Sequence, residues 1–219
     1  MAEWLIWQLA DSAFPAGAFA HSSGLEAAWQ QGEVDAASLP AFVDDVITQA
    51  GHAMLPFVTT AHPLSSDLGG IDARCEAFLR NPVSNRASRM QGRAWLRTVG
   101  RAFVAPAVRA VCEAARAQAP FRHYAVMFGA TLGALKVQLQ DTQRLFLFGV
   151  CRGTLSAAVR LGLAGTMDAQ QLLAEAAAHL DRTVARCSAL TIDEAAQTMP
   201  LLDLWQSGHD RLYSRLFQS

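Results

Sequence analysis

The chain has 219 residues, of which 52% are hydrophobic and 17% charged, so a sizeable core can be buried, leaving either a helical bundle with a generous core or apolar surface for partners. The formal net charge of −1 argues against a protein built to neutralise many phosphates, and no nucleic-acid partner is expected. The four cysteines (Cys75, Cys112, Cys151 and Cys187) form no CxxC, and Met1 is followed by Glu3 and Trp4 rather than by a positive leader region. These features predict reduced, buried thiols in a cytoplasmic protein.

Alternating β-branched runs are scarce, and the pattern predicts an all-α chain. Trp4 to Ala10 is a short apolar segment, followed by a turn region around Pro15 and Gly17. A helix is expected from about Phe19 to Gln31, stopped by Gly32. Ser38 is a candidate N-cap, with Pro40 in the first turn, for a helix running to about His62 and broken or kinked at Pro56. This region contains the longest uncharged run, Val46 to Ser66, whose histidines and prolines make it a poor bilayer helix. No membrane association is expected.

Asp67 to Arg80 reads as a further helix, ending near Asn81-Pro82. Ser84 is a candidate cap for a helix to Phe103. Pro106 opens one through Ala119, and Pro120 opens the next, which carries "FRHYAVMFGATLGALK". Another covers Gln140 to Leu163, before breaks at Gly162 and Gly165. Asp168 with Gln171 resembles a capping box for a helix toward Leu190, and Thr191 with Glu194 has the box spacing for the last helix. The simplest account is one all-α domain over residues 1–219, a bundle of about eight to ten helices. Gly129 with Gly133, and Gly149 with Gly153, each share a helix face; they predict tight helix crossings or a helix-mediated dimer.

Enzyme chemistry is poorly supported. The one lysine, Lys136, lies in a helical pattern, so there is no P-loop, and no GxGxxG follows a strand. The six histidines show no ligand spacing, which predicts no metal site and no resident cofactor. "AHSSG" does not match GxSxG. Asp44-Asp45 has no second acidic cluster to share a magnesium ion. An internal-pocket enzyme using His21, Glu26 and a buried cysteine is the alternative. What remains is surface. Arg86, Arg89, Arg93, Arg97 and Arg101 fall on one face of a helix, either as a solvated face or as a docking surface for an acidic partner. The tail, "GHDRLYSRLFQS", combines arginines with aromatics, which are enriched at binding hot spots.

Five blocks in order carry a family resemblance: "LADSAFPAGAFAHSSGLEAAWQQGEV", "ASRMQGRAWLR", "HYAVMFGATLGAL", "SAAVRLGLAGTMDAQQLL" and "HDRLYSRLFQS". The chain resembles the urease accessory protein F (UreF) family. The resemblance implies an all-α cytoplasmic homodimer that is not an enzyme. It implies a partner accessory protein (UreD, also called UreH), the GTPase UreG and apo-urease. It also implies GTP-dependent nickel release, with this subunit gating the GTPase or forming part of the nickel's path. Under it, Pro15, Gly17 and Gly24 set the loop geometry. Phe19, His21 and Glu26 are presented to a partner, with Phe19, Glu26 and Arg160 the candidate UreG-facing positions. Arg211, Tyr213 and Arg215 help dock UreD/UreH. His21 stands where many family members carry tyrosine.

Overall fold

A computed structural model describes residues 2–63 and 67–219; the last three residues of the uncharged run, and Met1, lie outside the described residues. Among the described residues there are twelve α-helices, three short 3-10 turns and no strand. No helix among them is long and apolar enough to cross a membrane. The helices are α1 (Ala2–Ala10), α2 (Leu25–Gln30), α3 (Leu39–Ala53), α4 (Leu55–Ala61), α5 (Leu68–Phe78) and α6 (Pro82–Ala102). They continue with α7 (Pro106–Gln118), α8 (Tyr124–Ala134), α9 (Leu139–Arg160), α10 (Thr166–Glu175), α11 (Ala177–Cys187) and α12 (Pro200–Gly208).

Two of the expected helices are divided, one of them beside the proline expected to break or kink it. The broken helix around Pro56 divides at Met54, so that Pro56 falls in the first turn of α4. Proline has no N–H to offer the carbonyl four residues back. That carbonyl, on His52, instead accepts the Ala196 N–H at 3.2 Å, tying the break to the segment before α12. Asp168 lies inside α10 and accepts the Gly165 N–H, and the helix expected toward Leu190 is interrupted at Ala176.

Caps account for the other shifts. Asn81, not Ser84, caps α6, its side chain accepting the N–H groups of Val83 and Ser84. Ser38 bonds Asp35 rather than the first turn of α3. Thr191 and Glu194 do form a capping box, but it opens only a 3-10 turn (Ile192–Glu194), and the last helix starts at Pro200. The helix expected from Pro120 begins at Tyr124. The intervening turn is held by the buried Asp72 carboxylate, which accepts the N–H groups of Phe121, Arg122 and His123 at 2.9–3.0 Å. His123 is buried beside it, its Nε2 2.8 Å from Glu76 and its Nδ1 3.1 Å from Ser88, so one network joins α5, α6 and α8.

α8 sits at the centre, packed on α4 and α6. The close approach to α4 depends on Gly129 and Gly133: a Cβ on either would lie 2.2 Å from the Val58 carbonyl oxygen or 1.9 Å from that of His62. Gly149 and Gly153 differ. Among the described residues nothing lies within 4 Å of where their Cβ atoms would be, so they make no tight crossing there. Trp95 is buried in the main core, its Nε1–H donating to Thr131 Oγ1 at 2.8 Å and its ring 4.9 Å from that of Phe128. A second apolar cluster, from Leu25 and Phe42 to Leu155 and Phe217, joins α2, α3, α9 and the tail. All four cysteines are free and buried.

Candidate functional site

The expected helix from Phe19 is cut short by two residues with positive φ, Ser23 and Gly24, so α2 begins only at Leu25. The loop before it runs along α6. The Pro15 carbonyl accepts from Thr98 Oγ1 at 2.8 Å. Gly17, at φ 80°, brings the backbone against Gln91 and Ala94; a Cβ there would sit 3.0 Å from that of Ala94. At Gly24, φ 89°, a Cβ would lie 2.9 Å from Gln206 Cγ on α12. The loop residues therefore owe their identity to backbone shape and close packing.

That shape lets the tail return across the loop. The Gln218 N–H donates to the Ala20 carbonyl at 2.8 Å, and the Ser22 N–H to the Ser219 carbonyl at 2.7 Å. Gln30 Nε2 donates to the Ser214 carbonyl at 3.0 Å. Glu26 is the anchor. It is 1% exposed, and its carboxylate accepts the backbone N–H of Leu216 and that of Phe217, the latter at 3.1 Å. Its Oε2 is also 3.1 Å from Nε2 of the fully buried His209. Glu26, expected to face a partner, is thus turned inward, because a carboxylate on the first turn of α2 lies under the returning chain and meets its free N–H groups.

His21 is part-buried beside this strap, with Nδ1 hydrogen-bonded to Ser219 Oγ at 2.6 Å. Burial first, then the nearby positive charges of His209 and Arg86, pulls its pKa down to about 4. The ring is therefore neutral at pH 7. It borders a pocket of about 220 Å³ that reaches Trp95, Tyr124 and Arg152 and is also lined by Gly149 and Gly153. Neither Glu26 nor a cysteine lines that pocket. Burial raises the thiol pKa of Cys75, Cys112, Cys151 (to about 12) and Cys187, so none is an activated nucleophile.

Arg160, at the end of α9, brings the two ends of the chain together. Its guanidinium carbon lies 3.9 Å from the centre of the Phe19 ring and 4.2 Å from that of Phe217, so the cation is sandwiched between them. It also donates to the Phe19 carbonyl. Phe217 is buried, whereas Phe19 is 69% exposed. Tyr213 is fully exposed, and Leu216, Leu201 and Leu204 are more than half exposed nearby in sequence and on α12. Arg215 is exposed, and its Nη1 is 3.5 Å from Asp210 Oδ1. Asp210 also pairs with Arg86 at 2.7 Å, and the Arg86 hydrogen bond leads the lowering of its pKa. Arg211 is exposed.

The structure thus gathers Phe19, His21, Glu26 and Arg160 with the tail, and leaves Arg211, Tyr213 and Arg215 on its outer side. Sequence reasoning did not single out His209 or Ser219, nor Phe217 as a ring stacked on Arg160. The apolar character of the tail was the available signal for Phe217; a pairing across 183 residues, as for His209 with Glu26, leaves no local trace.

The UreF family model matches residues 33–177. Urease accessory protein F of Oryza sativa subsp. indica is 37% identical over 221 residues, covering 98% of this chain and 84% of that protein. The Arabidopsis thaliana urease accessory protein F is 36% identical, covering 99% and 92% respectively, and the Agrobacterium fabrum urease accessory protein UreF 32%, covering 94% and 92%. Given a family model across most of the chain and relatives matched almost end to end, this chain belongs to the UreF family.

Proposed function

We propose that this chain, as a single domain over residues 1–219, is a non-catalytic assembly factor for urease. It acts in the cytoplasm as a homodimer, joins UreD/UreH, recruits the GTPase UreG, and supports GTP-dependent insertion of nickel, its cargo, into apo-urease. The observation that carries the reading is the convergence on Arg160: loop, α9 and tail form one surface only when the tail is strapped down. An exposed aromatic held by a cation is a rigid contact that loses little entropy on binding.

In this reading Phe19 faces UreG. Glu26, Arg160 and His21 shape that surface from beneath. Tyr213, Arg211 and Arg215, with the exposed leucines of α12, face UreD/UreH. Trp4 and Trp7, 79% and 66% exposed on α1, offer apolar area for the second copy. The pocket beside His21 is a route for nickel, with a neutral imidazole at its edge.

Co-purification of the three accessory proteins tests the division of surfaces. Phe19→Ala should keep UreD/UreH and lose UreG, and Tyr213→Ala should weaken UreD/UreH, both with unchanged helical circular dichroism. Retention of all partners by both variants would refute it.

A further inference from the structure

The arginine stripe of α6 is divided by the fold into two functionally different halves. Arg86 pairs with Asp210, and Arg89 lies 3.7 Å from Glu76 and over the Phe121 ring, so these two are spent within the chain. Arg93, Arg97 and Arg101 are exposed and have no ion pair or hydrogen bond among the described residues. Across from the last two, α7 presents Arg109 and Arg116, also exposed and unpaired; Glu113, between them in sequence, bonds neither. Arg97, Arg101, Arg109 and Arg116 border one open groove of about 470 Å³ between the end of α6 and α7, and among the described residues no acidic one lines it.

The walls of that groove are not polar. Leu96, Phe103 and Cys112 form part of its lining, and Val104 stands 81% exposed at its edge. Isolated unpaired arginines are ordinary; four around an apolar groove are a local charge imbalance in a chain whose total is −1. A second copy set groove to groove across a two-fold axis is a poor occupant, because arginines would meet arginines. Duplex nucleic acid would use the cations and leave the apolar wall without a partner.

We propose that this groove docks an amphipathic acidic helix of a partner protein. Arg93, Arg97 and Arg101 succeed one another every four residues, or about 6 Å along α6. Carboxylates at i, i+4 and i+8 of a facing helix have the same spacing, and the leucines or valines between them would enter the groove. The groove adjoins the loop at Thr98, which bonds the Pro15 carbonyl, but its lining includes none of Phe19, Arg160 or the tail, so it is a separate contact from those proposed above.

The probe is a fluorescent helical peptide of glutamate and leucine with glutamates at i, i+4 and i+8, measured by anisotropy on the full chain. Arg97→Gln/Arg101→Gln and Arg109→Gln/Arg116→Gln should each weaken it about tenfold or more. The charge-matched Arg182→Gln/Arg186→Gln pair on α11 should leave it unchanged, which separates the groove from net charge. A glutamine-for-glutamate peptide should not bind. Because the groove arginines bond nothing among the described residues, their loss should not alter thermal unfolding. Equal weakening by the α11 pair, undiminished binding by both groove variants, or binding of a short DNA duplex in preference to the peptide would overturn the proposal.

Discussion

Replacing Glu26 by alanine should free the tail without unfolding the bundle. The carboxylate takes three hydrogen bonds from the tail, from the Leu216 and Phe217 N–H groups and from His209, in a place water does not reach. Its removal leaves two backbone N–H groups and an imidazole without a partner, at about 1–3 kcal/mol each. The neighbouring strap bonds, Gln218 to Ala20 and Ser22 to Ser219, are worth about 1 kcal/mol apiece and cannot offset that loss. Burial of Phe217 against Arg160 still holds the tail by about 2 kcal/mol, so the strap should open far more often at 25 °C than in the wild type. Hydrogen exchange resolved to residues 209–219 is the assay: amides 216–218 should lose protection by about two orders of magnitude or more. α8 and α9 should keep theirs. Protection of the tail equal to that of the wild type, or loss of protection throughout the bundle, would refute the reasoning. The expectation that Glu26 contacts UreG directly gives a different outcome, lost recruitment with a protected tail.

Three further outcomes follow from the same contacts. Asp72→Ala strands the buried N–H groups of Phe121, Arg122 and His123 and should lower unfolding free energy in urea by about 3–5 kcal/mol. Gly133→Ala places a methyl 1.9 Å from the His62 carbonyl and should force α8 from α4, with a fall in melting temperature of several degrees, whereas Gly149→Ala, in open space, should be near neutral. Acid should loosen the chain through His21. Its folded pKa of about 4 lies below the unfolded value of 6.5, so between those pH values the unfolded chain binds more protons. The His21 contribution is complete above pH 6.5 and declines as pH falls toward 4, by at most about 3 kcal/mol, less for the part of the ring that meets water. His21→Asn should flatten that part of a pH–stability curve.

How far the sequence could be read depended on where each constraint lies. Proline and glycine act through their own backbone, so the start at Pro106, the break beside Pro56, the Pro15–Gly17 turn and the Gly129–Gly133 face leave a local mark, whereas the starts at Pro82 and Pro200 were passed over for the hydroxyls of Ser84 and Thr191. Polar caps were less legible: Asn81 and Ser84 compete for the start of α6, where the Asn81 amide oxygen takes the Val83 N–H, and the Ser38 hydroxyl before α3 is taken up by Asp35. The late start of α8 was invisible because the group that holds residues 121–123 is Asp72, about fifty positions away. The loop–tail surface was found through family blocks, not through spacing. Arg160 and Phe19 are 141 residues apart, and nothing in either segment says which side chains will stack. For the same reason Glu26 was expected outside: burial of a carboxylate depends on a returning strand of chain that supplies N–H donors.

The measurement that bears most directly on the assembly role is nickel-dependent urease activity in cells that lack their own F-type factor, with matched UreD/UreH and UreG supplied. Full-length protein should restore activity. Deletion of residues 208–219, which removes Phe217 from Arg160 and the strap from Glu26, should abolish it while the remaining bundle stays folded. Soluble, folded full-length protein that restores nothing, or a deletion that restores activity in full, would contradict the account.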